Sequence, residues 1–170
     1  MKFSSKAKNL LYLKKLRLKK SIIPKFYTYT VKEIIKSRNR IVEELNTNLA
    51  KKISIRSSFF LEDKNSSSMA GEFEGLYKVD NTKKQILKGI NYLVKQYKKK
   101  SKNKNILFKS EIIFQNHLID SSLSGVLTNR CIKDGTNYYV INYDDSSNLT
   151  NTVTSGGKSG GRVINISNKI

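Results

Sequence analysis

The sequence predicts an α+β fold, and three patterns within its 170 residues carry that expectation. Val31 to Leu49 and Thr82 to Tyr97 repeat apolar residues three and four apart, the spacing of helices with one buried side. Phe26 to Val31 and the segment around Ile53 and Ile55 gather aromatic and β-branched residues in short runs, as strands do. After Asn105 the texture changes to brief strand-like stretches separated by turns. With apolar residues at 38% and charged residues at 27%, the composition is that of a folded chain rather than a disordered one. Its length allows one domain with a real core, or two small lobes sharing a cleft.

Taken in order, Ser5 to Lys20 reads as an amphipathic helix through Leu10, Leu11, Leu13, Leu16 and Leu18, with Ser4 or Ser5 as its cap. The single proline, Pro24, follows where the helix has ended and extended chain begins. Phe26 to Val31 is the first strand, and Val31 to Leu49 is a helix through Ile34, Ile35, Ile41, Val42 and Leu45. Ile53 and Ile55 lie on a strand running into Arg56-Ser57-Ser58. Glu62 to Ser68, with three consecutive serines, is a loop ending near Gly71. Phe73, Leu76, Tyr77 and Val79 form a strand or turn edge. Thr82 to Tyr97 is a helix closed by the lysine run from Lys98 to Lys104, whose cations suit the negative end of its dipole. Ile106 to Phe114, Leu123 to Thr128 and Tyr138 to Tyr143 are strands, with a turn at Lys133-Asp134-Gly135. A Thr, Ser and Gly tail begins at Thr150, and Val163 to Ile166 is a last strand.

Lys and Arg number 33 against 13 Asp and Glu, a formal charge of +20. Such an excess raises the question of a polyanion partner. Lysine supplies most of it, however, beside abundant Asn and Ile, as in AT-rich coding sequence, so nucleic acid is not the expected partner. No apolar run nears the ~20 residues of a membrane span. Leu10 to Leu18 is interrupted by Lys14, Lys15 and Arg17, so no signal core follows the basic start. The lone Cys131 matches a reducing compartment, and a cytoplasmic setting is expected. One Cys and one His do not make a zinc site. Gly157-Lys158-Ser159 lacks the earlier glycine of a phosphate loop, its place being taken by Val153.

More informative is an ordered series of segments. Ser4-Ser5-Lys6-Ala7-Lys8-Asn9-Leu10 resembles the Gly-Gly-Lys-Gly-x-Asn-Leu opening of phosphoenolpyruvate synthases and pyruvate phosphate dikinases. Ile22-Ile23-Pro24-Lys25-Phe26 resembles their Val-Pro-Pro-Gly-Phe, and Ile55-Arg56-Ser57-Ser58 with Glu62-Asp63 resembles Val-Arg-Ser-Ser-x-x-x-Glu-Asp. Ala70-Gly71, Leu76 to Val79, Ile113-Phe114-Gln115 and Leu123-Ser124-Gly125-Val126-Leu127 fall where the family has Phe-Ala-Gly, Phe-Leu-Asn-Val, Val-Val-Gln and Val-Ser-Gly-Val-Leu. Leu149 to Gly156 takes the place of Leu-Gly-Glu-x-Val-Val-Ser-Gly. Asn142 to Gly156 is also similar to the L-glutamine kinase-like branch.

The resemblance implies an ATP-grasp-like fold holding ATP and Mg²⁺ between two small lobes, about 1–114 and 115–170, as part of a phosphotransferase. It implies Lys6 as a point charge on the phosphates and Arg56 as the forked ligand that also serves catalysis. Gly71 would let backbone amides approach phosphate, and Gln115, Asn116, His117 and Leu118 would join the lobes and meet the adenine edge. Each has a plainer alternative: a solvated lysine at Lys6, a surface ion pair at Arg56, caps at Glu62 and Asp63, a hinge at His117. The glycines around Lys6 are replaced by Ser and Ala, Thr128-Asn129-Arg130-Cys131 stands where the family has Phe-Thr-Arg-Asp-Pro, and Asn151 replaces its glutamate. The chain stops at Ile170 before the family's acidic strand and Gln-x-Arg-Pro. An incomplete Mg²⁺ site, an isolated chain without turnover and a separate polypeptide carrying the remainder are therefore expected. A basic nucleic-acid-binding protein and a non-catalytic remnant serving as an interaction module are the alternatives.

Overall fold

The computed structural model describes residues 5–16, 18–61, 73–132, 134–147, 153 and 161–167. The fold is α+β and divides into two units, Met1–His117 and Leu118–Ile170. The serine loop Glu62 to Ser68, Gly71 and the glycine-rich tail before Gly161 lie outside the described residues.

The first unit carries helices α1 (Lys6–Lys15), α2 (Val31–Asn48), α3 (Lys83–Lys100) and α4 (Lys104–Lys109), and strands β1 (Phe26–Thr30), β2 (Lys52–Ser58), β3 (Leu76–Asp80) and β4 (Glu111–Asn116). The strands form one antiparallel sheet in the order β1-β4-β2-β3. β1 and β2, joined through α2, run parallel with β4 between them. β3 and β4, joined through α3 and α4, run parallel with β2 between them. The result is two interleaved split β-α-β units.

Register assigns each strand residue to a face, because side chains alternate along a strand. Ile53, Ile55, Ile112 and Phe114 share one face and are buried beneath α2 and α3, against Ile34, Ile41, Leu45, Ile86, Ile90 and Leu93. Burying side chains of this size contributes roughly 1.5–3 kcal/mol each, so this layer dominates the unit's stability. On the opposite face α1 covers Phe26 and Ile113 with Ala7, flanked by Leu10 and Ile23.

Local chemistry explains where elements begin and end. Thr30 and Glu33 make a reciprocal capping box that starts α2, so Val31 belongs to the helix and not to the preceding strand. Thr82 caps α3, which runs on through Lys100. The side-chain amide of Asn81 donates to the carbonyls of Leu45, Asn46 and Leu49, satisfying the C-terminal end of α2. Two expectations are corrected here. The predicted strand from Ile106 to Phe114 is a helix followed by a strand: Asn103 accepts amide protons from Asn105 and Ile106 to start α4, and Ser110 ends it. The first helix stops at Lys15 instead of reaching Lys20, and Leu16 and Leu18 remain exposed outside the core.

The far end of the sheet is closed by Tyr97 of α3, whose side chain is fully buried. Its hydroxyl accepts the Ser58 amide proton at 2.9 Å and donates to the Glu111 carbonyl at 2.8 Å. Its ring packs 5.2 Å from Phe59 and 5.4 Å from Phe73, centroid to centroid.

The second unit is an antiparallel meander of β5 (Ser124–Thr128), β6 (Tyr138–Asp144) and β7 (Arg162–Ser167), in that order. Leu127, Ile141 and Ile164 stand in one row across it, with Tyr139 and Ile166 in the next on the same face. Among the described residues this unit has no helix of its own, and Leu127, Ile164 and Ile166 are exposed. Gly125 sits so close to β6 that a Cβ there would lie 2.6 Å from the Asn142 carbonyl oxygen.

Two substitutions test these contacts. Tyr97→Phe keeps the ring but strands the buried Ser58 amide and removes the donor to the half-buried Glu111 carbonyl; denaturant unfolding should show a loss of about 1–3 kcal/mol with an unchanged m-value. Gly125→Ala should shift the Tyr143 and Asn142 amide resonances and speed their hydrogen exchange, because the new methyl must push β5 and β6 apart.

Candidate functional site

The face of the first sheet opposite α2 and α3 collects most of the residues singled out from the sequence. On β2 the residues facing this way are Ser54, Arg56 and Ser58, which lie beside Gln115, Ile113 and Glu111 of β4. Arg56 is exposed, and its guanidinium makes no hydrogen bond or ion pair with the described residues. Glu62 and Asp63, its plainer partners, lie outside them.

α1 is docked on this same face by polar contacts at its N-terminus. The Ala7 amide donates to Ser58 Oγ at 3.1 Å in a buried bond. Ser5, the N-cap, accepts the Lys8 amide and donates its own hydroxyl to Glu111 at 2.9 Å. The Glu111 carboxylate thus stands at the positive end of the helix dipole, a favourable place for an anion. The Ala7 amide is spent on docking the helix and the Lys8 amide on its cap. Lys6 is the first residue of the helix and is exposed. Its neighbour Ala7 is tied to Ser58, two residues along β2 from Arg56, so Lys6 and Arg56 issue from the same side of the sheet.

Gln115, Asn116 and His117 belong to the first unit, and Leu118 begins the second. The first two are the closing residues of β4, and the division between the units falls within the segment from Gln115 to Leu118. Gln115 pairs with Phe26 on one side and Ser54 on the other. Asn116 donates its amide to Lys25 O and accepts the Ala50 amide on its side chain at 2.8 Å. His117 donates its amide to Lys52 O. These two amides, expected at an adenine edge, are consumed within the sheet and its flanks.

A pairing that the sequence did not disclose lies beside them. Ser54 Oγ and His117 Nδ1 are 2.9 Å apart, although 63 residues separate them in the chain. Burial and the nearby Lys78 ammonium hold the His117 imidazole below its ordinary value of 6.5, favouring the neutral ring. Lys78 lies where β3 bulges against β2, and its backbone has a φ of 54°. A bulge is a common device for re-aiming a side chain. Only the alternation around Ile53 and Ile55, which places Ser54 on the opposite face, hinted at this cluster.

The residues also answer whether Mg²⁺ fits. Among the described residues no three His, Cys, Asp or Glu side chains stand together. Asp144 is buried and accepts from the Ser146 amide and hydroxyl and from the Ser147 amide and hydroxyl, a local turn. Asp145 pairs with Arg162 at 3.1 Å. These carboxylates do not fit a magnesium site, whereas the unpaired Arg56 and the exposed Lys6 suit phosphate oxygens. No helix among the described residues is long and apolar enough to cross a membrane. In sequence and fold the chain matches no protein-family model, no curated protein and no solved structure.

His117 yields a pH test with a definite sign. Its folded pKa is depressed, so its contribution to stability is complete above about 6.5 and is lost as pH falls from there toward the folded value. Melting temperature should therefore drop between pH 7 and pH 5, and His117→Asn should flatten that slope. An equal slope in both proteins would place the pH dependence elsewhere.

Proposed function

We propose that the first unit binds ATP by its phosphates on the Arg56 face, as part of a phosphotransferase of the phosphoenolpyruvate synthase and pyruvate phosphate dikinase type. The observation that carries this proposal is the exposed, unpaired Arg56 on the sheet face where Ser58 anchors the start of α1 and with it Lys6. A triphosphate needs fixed cations, and a guanidinium meets phosphate oxygens through two parallel hydrogen bonds. Lys6 adds a point charge. The ordered segments that resemble the family support this assignment, and Arg56-Ser57-Ser58 is the most specific of them.

The proposal assigns nucleotide binding to this chain rather than turnover. The metal-holding oxygens that phosphoryl transfer requires are not offered by Asp144 or Asp145, so no catalytic step is assigned to those residues. The alternative of an interaction module draws on the apolar row Leu127, Ile141 and Ile164 in the second unit.

Titration calorimetry with ATP decides between them. Arg56→Ala should weaken binding at least tenfold, a loss of about 1.4 kcal/mol or more, as removal of a charge-assisted pair does. Replacing Lys98, Lys99 and Lys100 together by Gln should change it less than about twofold, since surface charges on the far side of the sheet act only through screened distance. Absence of ATP binding in the unmodified protein would overturn this reading and leave the nucleic-acid-binding protein and the interaction module.

A further inference from the structure

The lysine excess is not spread evenly over the molecule. Of the 33 Lys and Arg, 28 precede Leu118, together with 9 of the 13 Asp and Glu, so the first unit holds almost the whole net charge. Within it, the eighteen residues of α3 carry seven lysines and no acid.

At 3.6 residues per turn, Lys84, Lys88, Lys95, Lys98 and Lys99 fall within a sector of about 100° on α3. The buried residues Ile86, Gly89, Ile90, Leu93 and Tyr97 occupy a sector centred about 180° away. All five lysines are exposed, and none has an ion-pair partner among the described residues. The acids that reach α3 do so at its margins: Glu43 pairs with Lys83, and Glu74 accepts from the Tyr92 hydroxyl. From Lys84 to Lys99 the row extends about 22 Å at 1.5 Å per residue. That length matches the rise of six or seven nucleotides along one strand of a duplex, at about 3.4 Å each.

We infer that the outer face of α3 is a docking surface for the phosphate backbone of double-stranded nucleic acid. Like charges held unpaired along a rigid rod raise the local potential, and a row of phosphates relieves it while releasing its condensed counterions. A membrane surface fits less well, because the apolar side of α3 is already buried in the core and nothing remains to insert. A single strand is also a poorer fit, since it is gripped by stacking on aromatic rings. Tyr92, the one exposed aromatic of α3, has its hydroxyl engaged by Glu74 at the margin of the row. Contacts of this kind read no base edges, so binding is independent of sequence. The surface is independent of the Arg56 site, as α3 and Arg56 lie on opposite faces of the sheet.

Fluorescence anisotropy of the full chain with a labelled mixed-sequence duplex of about 24 base pairs, from 50 to 200 mM salt, tests this. Five phosphate contacts contribute about −4.5 to the slope of log K against log salt. The variant with Lys84, Lys88, Lys95, Lys98 and Lys99 all changed to Gln should lose most of that slope and bind at least tenfold more weakly at 100 mM salt. Gln matches Lys closely in helix propensity, so α3 should form, with circular dichroism as the check. Should the fivefold variant fail to fold, Lys95→Gln with Lys99→Gln should still make the slope shallower by about 1.8. A control variant with Lys15, Lys19, Lys20, Lys25 and Lys51 changed to Gln loses the same charge elsewhere and should bind within about threefold of the parent, which carries five α3 phosphate contacts unaltered. Equal losses in the two fivefold variants would reduce the effect to net charge and overturn the assignment. So would an α3 variant that binds undiminished, tighter binding to a single strand of equal length or to phosphatidylserine vesicles, or no duplex binding at 50 mM salt.

Discussion

A single phenolic oxygen holds the first unit together at the end of the sheet where α1 docks. Tyr97 Oη joins the last residue of β2 to the first residue of β4, accepting from the Ser58 amide and donating to the Glu111 carbonyl. The Ser58 amide is buried and the Glu111 carbonyl half-buried, so without that oxygen the amide would lose its partner at a cost of about 1–3 kcal/mol. The same two residues use their side chains on the other side of the sheet. Ser58 Oγ takes the Ala7 amide, and the Glu111 carboxylate takes the Ser5 hydroxyl. Thus α3, β2, β4 and α1 converge on Ser58 and Glu111, and the placement of Lys6 depends on a tyrosine from the opposite layer.

That convergence divides the unit into two sides of different character. Beneath α2 and α3 the sheet is apolar and closed. Above, α1 covers Phe26 and Ile113, and β2 presents Ser54 and Arg56 next to Gln115 and His117. The two sides also differ in how they use cations. On the Arg56 face a guanidinium stands near hydroxyls and amide groups, a setting for a small anion with defined geometry. On the outer side of α3 lysines repeat along a rod, which favours length and charge over shape.

Legibility in the sequence followed the range of the interactions. The helices Val31–Asn48 and Lys83–Lys100 were readable because their buried stripes repeat locally, and Thr30, Glu33 and Thr82 are local caps. Strands β1, β2, β5, β6 and β7 were readable from short β-branched and aromatic runs. The stretch from Ile106 to Phe114 was misread because a short apolar run has no period long enough to separate helix from strand. Only Asn103 and Ser110, acting as caps, break it in two. Leu16 and Leu18 continued a helical pattern but belong to neither core cluster of the described residues. At the candidate site, Arg56 and Lys6 were visible as members of ordered segments. The partners that position them were not, since Ser58 meets Ala7 across 51 residues and Ser54 meets His117 across 63. Nothing local reveals that β4, which ends with Gln115 and Asn116, is the strand inserted between β1 and β2.

That insertion governs the order in which the unit can be built. β1 and β2 never pair with each other; each waits for β4, whose residues follow β1 by about eighty positions. A chain emerging from the ribosome therefore carries two open strand edges until residue 116 is free, and no subset of the earlier strands closes the sheet. Among the described strands the one pair available before then is the antiparallel β2–β3 edge, which α3 can begin to cover. Assembly should accordingly be slow and late, dominated by long loop closures. The unpaired edges of β1 and β2 are exposed to other nascent chains throughout that interval, and the dense positive charge of the same segment gives those chains a reason to keep apart.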